Sequence, residues 1–454
     1  MQHLPKSFFA SNRTRVGQFI GEAGHVFLFG NRSGVRDDTD TDLEVRQEAN
    51  FFYLTGVLDA NYSAVITVPT GELTLIAPQM SPDDPIWYGA LPSLAEVKEK
   101  HGAERVIEAT AAPAFLGELK QSKIFVINED FKRLAIAALP AAAAGEASID
   151  TEKLMEALIE SRMIKRPEEI AVLRRVNKIS SDAFVLMMQE ARNCRYEHEL
   201  ESIFMSYARR RGCRHMAYLP IVGAGNNGAV LHYMANNAPL KKTDLVLVDA
   251  GAELDLYASD ITRCFPMSGT FDERQRTVYT IVLNAQKAVA TMIRPGVDWT
   301  DCHLAAERVL AEGLLAANIL RGSLEEILEK RAMSVFFPHG LGHFMGLAVH
   351  DVGGYPKGVE RIQKPSLQYL RCRRVLQEGM VITNEPGIYF NEELVRRAKE
   401  NAEVSALINW EEVEKYRGFG GVRIEDDIVV TADGCESLTT APKEIEDIEK
   451  VMRS

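Results

Sequence analysis

The stretch HGLGHFMGLAVHDVGG, residues 339 to 354, places His339, His343 and His350 within twelve positions of a chain that holds ten histidines. Imidazoles spaced by glycines and bulky apolar residues suit a site that binds metal and moves protons, because the ring nitrogens ligate metals and titrate near neutrality. Four acids sit in otherwise strongly β-forming runs: Asp249 in LVLVD, Asp260 in LYASDITRCF, Glu385 in VITNEPGIYF and Glu425 in GVRIEDDIVV. An ionised carboxylate is costly to bury unpaired. Any one of them alone reads as a strand-end acid in a salt bridge, but four, with the histidines between the second and third, call for cations. Asp249 and Asp260 flank an expected hairpin turn near Glu253-Leu254-Asp255, so their carboxylates can face each other across an antiparallel pair. Two Asp, two Glu and one His make a hard, oxygen-rich donor set that suits Mn²⁺, Co²⁺, Zn²⁺ or Fe²⁺ rather than a cysteine-type zinc. Carboxylates can bridge two such ions about 3.5–4 Å apart, with a shared hydroxide as a hydrolytic nucleophile at neutral pH. The other histidines are then free to position substrate and stabilise an oxyanion.

At 454 residues two domains are expected, with a boundary near residue 160. The first, residues 1–160, alternates strand-like runs (HVFLFG, AVITVP, LTLIAP, IFVIN) with polar helical stretches such as SLAEVKEKHG, an α/β pattern. The alanine-rich LAIAALPAAAAGEAS, 134 to 148, predicts a helix and then a turn leading out of that domain. The second, residues 161–454, opens on a helix: Pro167 fits a first turn, Glu168 and Glu169 suit its dipole, and Ile170, Leu173, Val176 and Ile179 recur at helical spacing. Further helices are predicted over 272–293, 300–318 and 324–334, and strands in LVLVDAG, DLYASDITRCFP, MVITNEPGIYF and VRIEDDIVV. This part is α+β, with helices covering an antiparallel-rich sheet. Its two halves share a plan of a helix pair followed by strands that carry acids.

The formal net charge of −12 argues against nucleic acid as a partner. No apolar run reaches the length of a membrane span. The first residues, MQHLPKSFFASNRTRV, lack the apolar core and cleavage site of a secretory signal. The cysteines Cys194, Cys213, Cys264, Cys302, Cys372 and Cys435 are scattered singly, which fits buried free thiols in a reducing compartment, the cytoplasm. Gly223-Ala-Gly225-Asn-Asn-Gly228 fits the dinucleotide fingerprint GxGxxG. The run after it, AVLHYMANNAP, is too brief for the helix that would hold a pyrophosphate. RGFGG at 417 to 421 likewise lacks the Lys-Ser/Thr of a phosphate loop. An NAD-dependent oxidoreductase is therefore disfavoured.

The ordered set Asp249, Asp260, His343, Glu385, Glu425 resembles the metal ligands of the pita-bread metallopeptidases, a family that includes methionine aminopeptidase, aminopeptidase P and prolidase. LHY at 231 to 233, DAGAELDLYASDITRCFP, HGLGHFMGLAVHDVGGYPKGVERI, EPGIYF and RGFGGVRIEDD look most like the prolidases, the Xaa-Pro dipeptidases. The likeness is strong from about residue 161 onward and recognisable before it, as in LEVRQEANFFYLTGV. It implies a pita-bread catalytic domain with a pseudo-twofold plan, preceded by a creatinase/aminopeptidase P-like domain. It also implies two divalent ions, Mn²⁺ foremost, and a homodimer.

Residue by residue, the resemblance implies that Asp249 chelates one metal, that Asp260 and Glu425 bridge, and that His343 and Glu385 bind the other. Glu385 would also shuttle a proton. His232 would contact substrate near the scissile bond, although read alone it is a packed core histidine. His350 would hydrogen-bond the scissile carbonyl or the substrate carboxylate, and His339 would line the site. Arg423, two residues before Glu425 and so on the same strand face, would orient the carboxylates. Tyr218 in AYLPIVGAG and Trp87 in PIWYGA match substrate-site positions, Trp87 reaching in from a partner subunit. Between His350 and Glu385 lies the basic segment YPKGVERIQKPSLQYLRCRRVLQEG. A dipeptidase must grip a free carboxylate beside the scissile bond, which Arg does bidentately, and the match falls on Arg371. Arg371, Arg373 and Arg374 otherwise read as a solvated basic loop. The expected activity is hydrolysis of Xaa-Pro dipeptides. The alternatives are an aminopeptidase P acting on longer peptides, or an inactive binding module of the same fold.

Overall fold

Runs of β-branched and aromatic residues in the first part of the chain form one mixed sheet. The structure, a computed structural model, describes residues 4–79, 81–119, 121–141 and 148–454. It separates into two units, Met1–Arg162 and Met163–Ser454. In the first, strands β1 (Gly24–Phe29), β2 (Ser63–Val68), β3 (Leu73–Ala77), β4 (Arg105–Glu108), β5 (Lys123–Phe125) and β6 (Ser148–Asp150) lie in the order β4-β3-β2-β1-β5-β6. β1, β2 and β3 pair antiparallel, and the outer strands join in parallel. Phe27, Val65, Ile76, Ile124 and Val126 pack beneath the sheet. The helix Leu94–His101 starts where Ser93 and Glu96 form a reciprocal capping box. In NFFYLT, Phe52 and Tyr53 stack edge-on against Phe9 and Phe8 of the helix Lys6–Ile20. The alanine-rich region holds a helix, Glu129–Ala138; the turn expected after it falls at 142–147, outside the described residues.

The second unit builds the repeated plan. Helices Pro167–Glu190 and Glu197–Arg209 precede the antiparallel set β7 (Ile221–Ala224), β8 (Leu245–Ala250) and β11 (Ile261–Pro266), with β8 in the middle. Helices Glu273–Met292 and Trp299–Ala316 precede β12 (Val381–Asn384), β15 (Asp426–Val430) and β16 (Cys435–Ser437), with β15 in the middle. Two short ribbons complete it: β9 (Glu253–Leu254) with β10 (Tyr257–Ala258), and β13 (Gly387–Tyr389) with β14 (Gly421–Arg423). A single bridge, Thr262 to Glu425, stitches the two halves together, and another, Phe344 to Ile382, ties the histidine segment to β12 within the second half.

Three expectations need correction. The helix over 324–334 stops at Glu329; Arg331 takes φ 55°, a left-handed conformation, and one 3₁₀ turn, Ala332–Val335, succeeds it. The hairpin turns at Asp255-Leu256, both at positive φ, one residue beyond the expected centre. Asp249 therefore faces Thr262, and Asp260 lies diagonal to it rather than directly opposite. The three long acidic runs are also not continuous strands: each breaks at or beside its acid, Asp260 between β10 and β11, Glu385 between β12 and β13, and Glu425 between β14 and β15. Breaks of this kind re-aim side chains out of a ladder.

Behind the site, Arg263 is fully buried and donates to Asp426 Oδ1 at 2.6 Å and to the carbonyls of Thr262, Glu425, Pro442 and Ala441. Burial pushes the Asp426 carboxyl up, but Arg263 and Lys443 outweigh it and hold it below its ordinary value. A depressed carboxylate stabilises the fold above its unfolded value near pH 4, and that contribution fades as pH falls through the folded value. Arg263→Met should destabilise this unit by about 3–5 kcal/mol, because it leaves buried acceptors without their donor. Urea unfolding at pH 7 checks this, and the deficit should shrink toward acid pH as Asp426 protonates.

Candidate active site

One cavity of about 550 Å³ in the second unit gathers most of the residues named from the sequence. Its wall includes His232, Asp249, Asp260, His339, His343, His350, Arg371, Glu385, Arg423 and Glu425. The breaks described above deliver three of the acids; β8 delivers the fourth. His343 arrives on the segment that bridges to β12 and is fixed by its own N–H donating to Thr383 Oγ1 at 3.0 Å. The approach requires Gly342, where a Cβ would sit 2.0 Å from Thr383 O.

Asp260, His343 and Glu425 are all buried, and each offers a donor atom within 4.8 Å of the others. His343 Nε2 is 3.3 Å from Asp260 Oδ2 and 3.5 Å from Glu385 Oε1. Its Nδ1 lies 3.2 Å from Phe344 O, which leaves Nε2 as the free ligand atom. Tyr218 Oη donates to Asp249 Oδ1 at 2.5 Å and also to Asp260 Oδ1, so it ties the first two acids together.

Arg423 braces the acids. Its Nη2 donates to Asp249 Oδ2 at 2.6 Å, its Nη1 to Tyr389 Oη at 2.8 Å and its Nε to Thr262 Oγ1 at 2.9 Å. Thr262 Oγ1 in turn donates a hydrogen bond to Glu425 Oε2 at 2.6 Å. His339 Nε2 reaches Tyr389 Oη at 2.8 Å, and its Nδ1 sits 3.7 Å from Glu385 Oε2. His350 packs edge-on against His343, ring centres 4.4 Å apart.

Electrostatics test whether cations belong here. Burial, reinforced by the neighbouring carboxylates, lifts Asp260 and Glu425 well above the carboxylate range. Burial lifts Glu385 to about 7 although His343 and Arg423 oppose it. Burial alone would lower Arg423, but Tyr389 and the acids raise it well above its ordinary value. One guanidinium cannot balance four acceptor-only side chains aimed at each other. Divalent cations can, and the donor set is of the right hardness for them. Burial also lowers His339 and His350 to about 3, so both are neutral at pH 7.

His232 is exposed to the cavity and is not a packed core residue. Arg371 is likewise exposed on the cavity wall with no hydrogen-bonded or ion-paired protein partner among the described residues. Its neighbours in the basic loop are spent on the backbone: Arg373 donates to Glu360 O at 2.6 Å, and Arg374 donates to Gly353 O. Trp87 belongs to the first unit, on the helix Asp84–Tyr88, and is 77% exposed. The GxGxxG run forms the end of β7 and a single 3₁₀ turn, Gly225–Ala229, with no α-helix to carry a pyrophosphate.

Sequence reading missed Thr262, Thr383 and Tyr389. A trace of the threonines was present: each lies two residues from an acid, Asp260 or Glu385, on the same strand parity. Tyr389 had no such mark. Also missed was the helix Glu392–Glu400, whose Glu393, Leu394 and Arg397 line the same cavity.

Residues 171–432 match the model of "Metallopeptidase family M24", and residues 9–126 match "Aminopeptidase P, N-terminal domain". The chain belongs to metallopeptidase family M24. It is a hydrolase with an aminopeptidase P-type N-terminal domain and a pita-bread catalytic domain. Among relatives, the Xaa-Pro dipeptidase of Homo sapiens is 39% identical over 471 residues, covering 99% of this chain and 94% of that one. The "Probable Xaa-Pro aminopeptidase PEPP" of Coccidioides posadasii (strain C735) is 38% identical over 455 residues, covering 97% and 95%. The structure of Pseudomonas aeruginosa aminopeptidase PepP superposes with a TM-score of 0.85 at 32% identity, covering 100% of this chain and 99% of that chain. No helix among the described residues is long and apolar enough to cross a membrane.

Proposed function

We propose that this M24 enzyme is an Xaa-Pro dipeptidase that works with two divalent ions, Mn²⁺ foremost, as a cytoplasmic homodimer. The observation that carries the reading is Arg371, a guanidinium with no hydrogen-bonded or ion-paired partner among the described residues, on the wall of the cavity that holds the acids. Asp249, Asp260 and Glu425 would hold one ion, and Asp260, Glu425, His343 and Glu385 the other. When bound, such ions supply Lewis-acid polarisation and a nucleophile at neutral pH.

The chain's own side chains do the rest. Arg371 pairs with the terminal carboxylate of the dipeptide and fixes its register. His232 and His350, neighbours on the cavity wall, orient the scissile carbonyl, and neutral His350 offers one N–H to it. Glu385 accepts a proton from the attacking water on its carboxylate and returns it to the proline nitrogen as the C–N bond breaks. That return matters because the nitrogen of an Xaa-Pro bond carries no hydrogen of its own. Arg423 and Tyr218 hold the acids in place, and Tyr389 holds His339. Trp87 of a partner subunit would close the substrate site.

Added Mn²⁺ should raise the melting temperature and restore Gly-Pro hydrolysis to chelator-treated protein; at a hundredfold excess over Kd the gain is about 2.7 kcal/mol. The absence of both a thermal shift and turnover with every one of the four metals would sink the reading. Thr262→Val, which removes the hydroxyl between Arg423 and Glu425, should weaken metal affinity or activity roughly 10–100-fold. A metal titration followed by calorimetry reads this. The second reading, aminopeptidase P, is favoured by the roomy cavity of about 550 Å³ and by the similar identity to Xaa-Pro aminopeptidases. It predicts equal or faster cleavage of Gly-Pro-Ala.

A further inference from the structure

Just ahead of Arg371 the backbone takes a conformation that costs energy. Ser366 has φ 61° and ψ −51°, and Leu367 N–H donates to Pro365 O at 2.9 Å. That is a γ-turn of the strained kind, at a residue with a side chain. Such outliers persist only where the surroundings hold them, and they gather at ligand clamps. Here the surroundings are specific. Ser366 is 2% exposed. Its hydroxyl accepts from Arg331 Nη2 at 2.8 Å and lies 3.3 Å from His303 Nε2. Arg331 Nη2 also donates to Pro365 O at 3.1 Å, the very carbonyl that closes the turn.

Arg331 is held in turn by a partly buried pair with the buried Glu307, one turn along the same helix from His303. Burial lowers His303 to about 3, so it remains neutral and does not repel Arg331. His303 stacks on Phe337, ring centres 5.2 Å apart, and Phe337 meets His339 edge-on at 4.9 Å. One short 3₁₀ turn, Leu367–Tyr369, then leads from Ser366 to Tyr369 and Arg371, both on the cavity wall. The segment is pressed against the floor of the site: a Cβ on Gly340, next to His339, would lie 2.7 Å from Leu370 Cα.

We infer that Arg331, braced by Glu307, is a positioning residue that, together with His303, holds the Ser366 turn and thereby aims Arg371 at the substrate carboxylate. The inference rests on the reading of Arg371 as the carboxylate clamp. None of the three side chains touches substrate. A rigid, strained base spares Arg371 the ordering that a free loop would require on binding.

Two conservative variants test it. Ser366→Ala removes only the hydroxyl. Arg331→Lys keeps the charge opposite Glu307 but cannot fork to Ser366 and Pro365. Each should raise KM for Gly-Pro roughly tenfold, the loss expected for a hydrogen bond to a charged group. kcat should fall less than KM rises. The penalty on glycyl-prolinamide, which lacks the carboxylate, should be at least about fivefold smaller. Melting temperature and bound metal report that the fold and the metal site persist. A Gly-Pro KM within twofold of the parent in both variants, while Arg371→Ala raises it, overturns the brace and leaves the clamp standing. An unchanged KM in Arg371→Ala as well overturns both. Equal penalties on Gly-Pro and its amide also overturn the brace, since they mark a general structural defect.

Discussion

Asp260→Asn should cut Gly-Pro hydrolysis by on the order of a thousandfold or more while the protein stays folded. Asp260 shares its surroundings with His343, Glu425 and Tyr218 and lies at the centre of the donor cluster. An amide of the same shape offers one neutral oxygen where two charged ones stood, and so cannot hold two cations together. The backbone of Asp260 remains anchored by its N–H to Asp427 Oδ2 at 2.9 Å, and Tyr218 can donate to an amide oxygen as it does to the acid. Stability should change as well, with a sign set by the metal. Burial and the charge of Asp249 raise the Asp260 carboxyl well above its ordinary value. An acid raised in the folded state destabilises the fold once pH passes its unfolded value near 4. Without metal, the Asn variant should therefore melt at the same temperature as the parent or higher at pH 7. With metal, the order should reverse. Differential scanning calorimetry in chelator and in Mn²⁺ gives both halves; a metal-free variant that melts lower would mean the acid is structurally required.

Arg371→Ala should lower kcat/KM for Gly-Pro roughly thirtyfold, from about 2 kcal/mol at the low end of the range for losing one partner of a charged pair. The low end applies because the side chain is exposed to the cavity before substrate arrives. The loss should fall on dipeptides and spare glycyl-prolinamide. Arg371→Lys should lie between, since it keeps the charge and gives up the bidentate fork. Stability should scarcely change, because the side chain makes no hydrogen bond among the described residues. Steady-state kinetics on the two substrates separates this from a general defect. An equal loss on acid and amide would move the clamp elsewhere, with Arg397 on the same wall as the first candidate.

Much of this architecture was legible because hydrophobic periodicity is a local property. The helices Pro167–Glu190 and Glu273–Met292 carry their start signals and their apolar spacing in the chain itself. The acids were legible because a carboxylate in a β run is chemically out of place. Register, by contrast, is beyond the reach of local pattern. Asp249 and Asp260 were expected to face each other, yet the turn falls at Asp255-Leu256, and a shift of one residue sets Thr262 opposite Asp249 instead. The breaks at Glu385 and Glu425 were equally hidden, since MVITNEPGIYF and VRIEDDIVV have strand composition throughout. Pro386 marked the first of them, directly after Glu385. Tyr389 and Arg331 act through partners 34 and 35 residues away, Arg423 and Ser366, and nothing in the spacing of the chain announces such pairs.

The most direct test of the account compares turnover of Gly-Pro and Gly-Pro-Ala by one preparation loaded with Mn²⁺. The two substrates share the scissile bond and differ in where the free carboxylate lies. If Arg371 clamps the carboxylate of proline, kcat/KM for Gly-Pro should exceed that for Gly-Pro-Ala by at least about tenfold. Equal or faster cleavage of the tripeptide would contradict the dipeptidase assignment and make this chain an aminopeptidase.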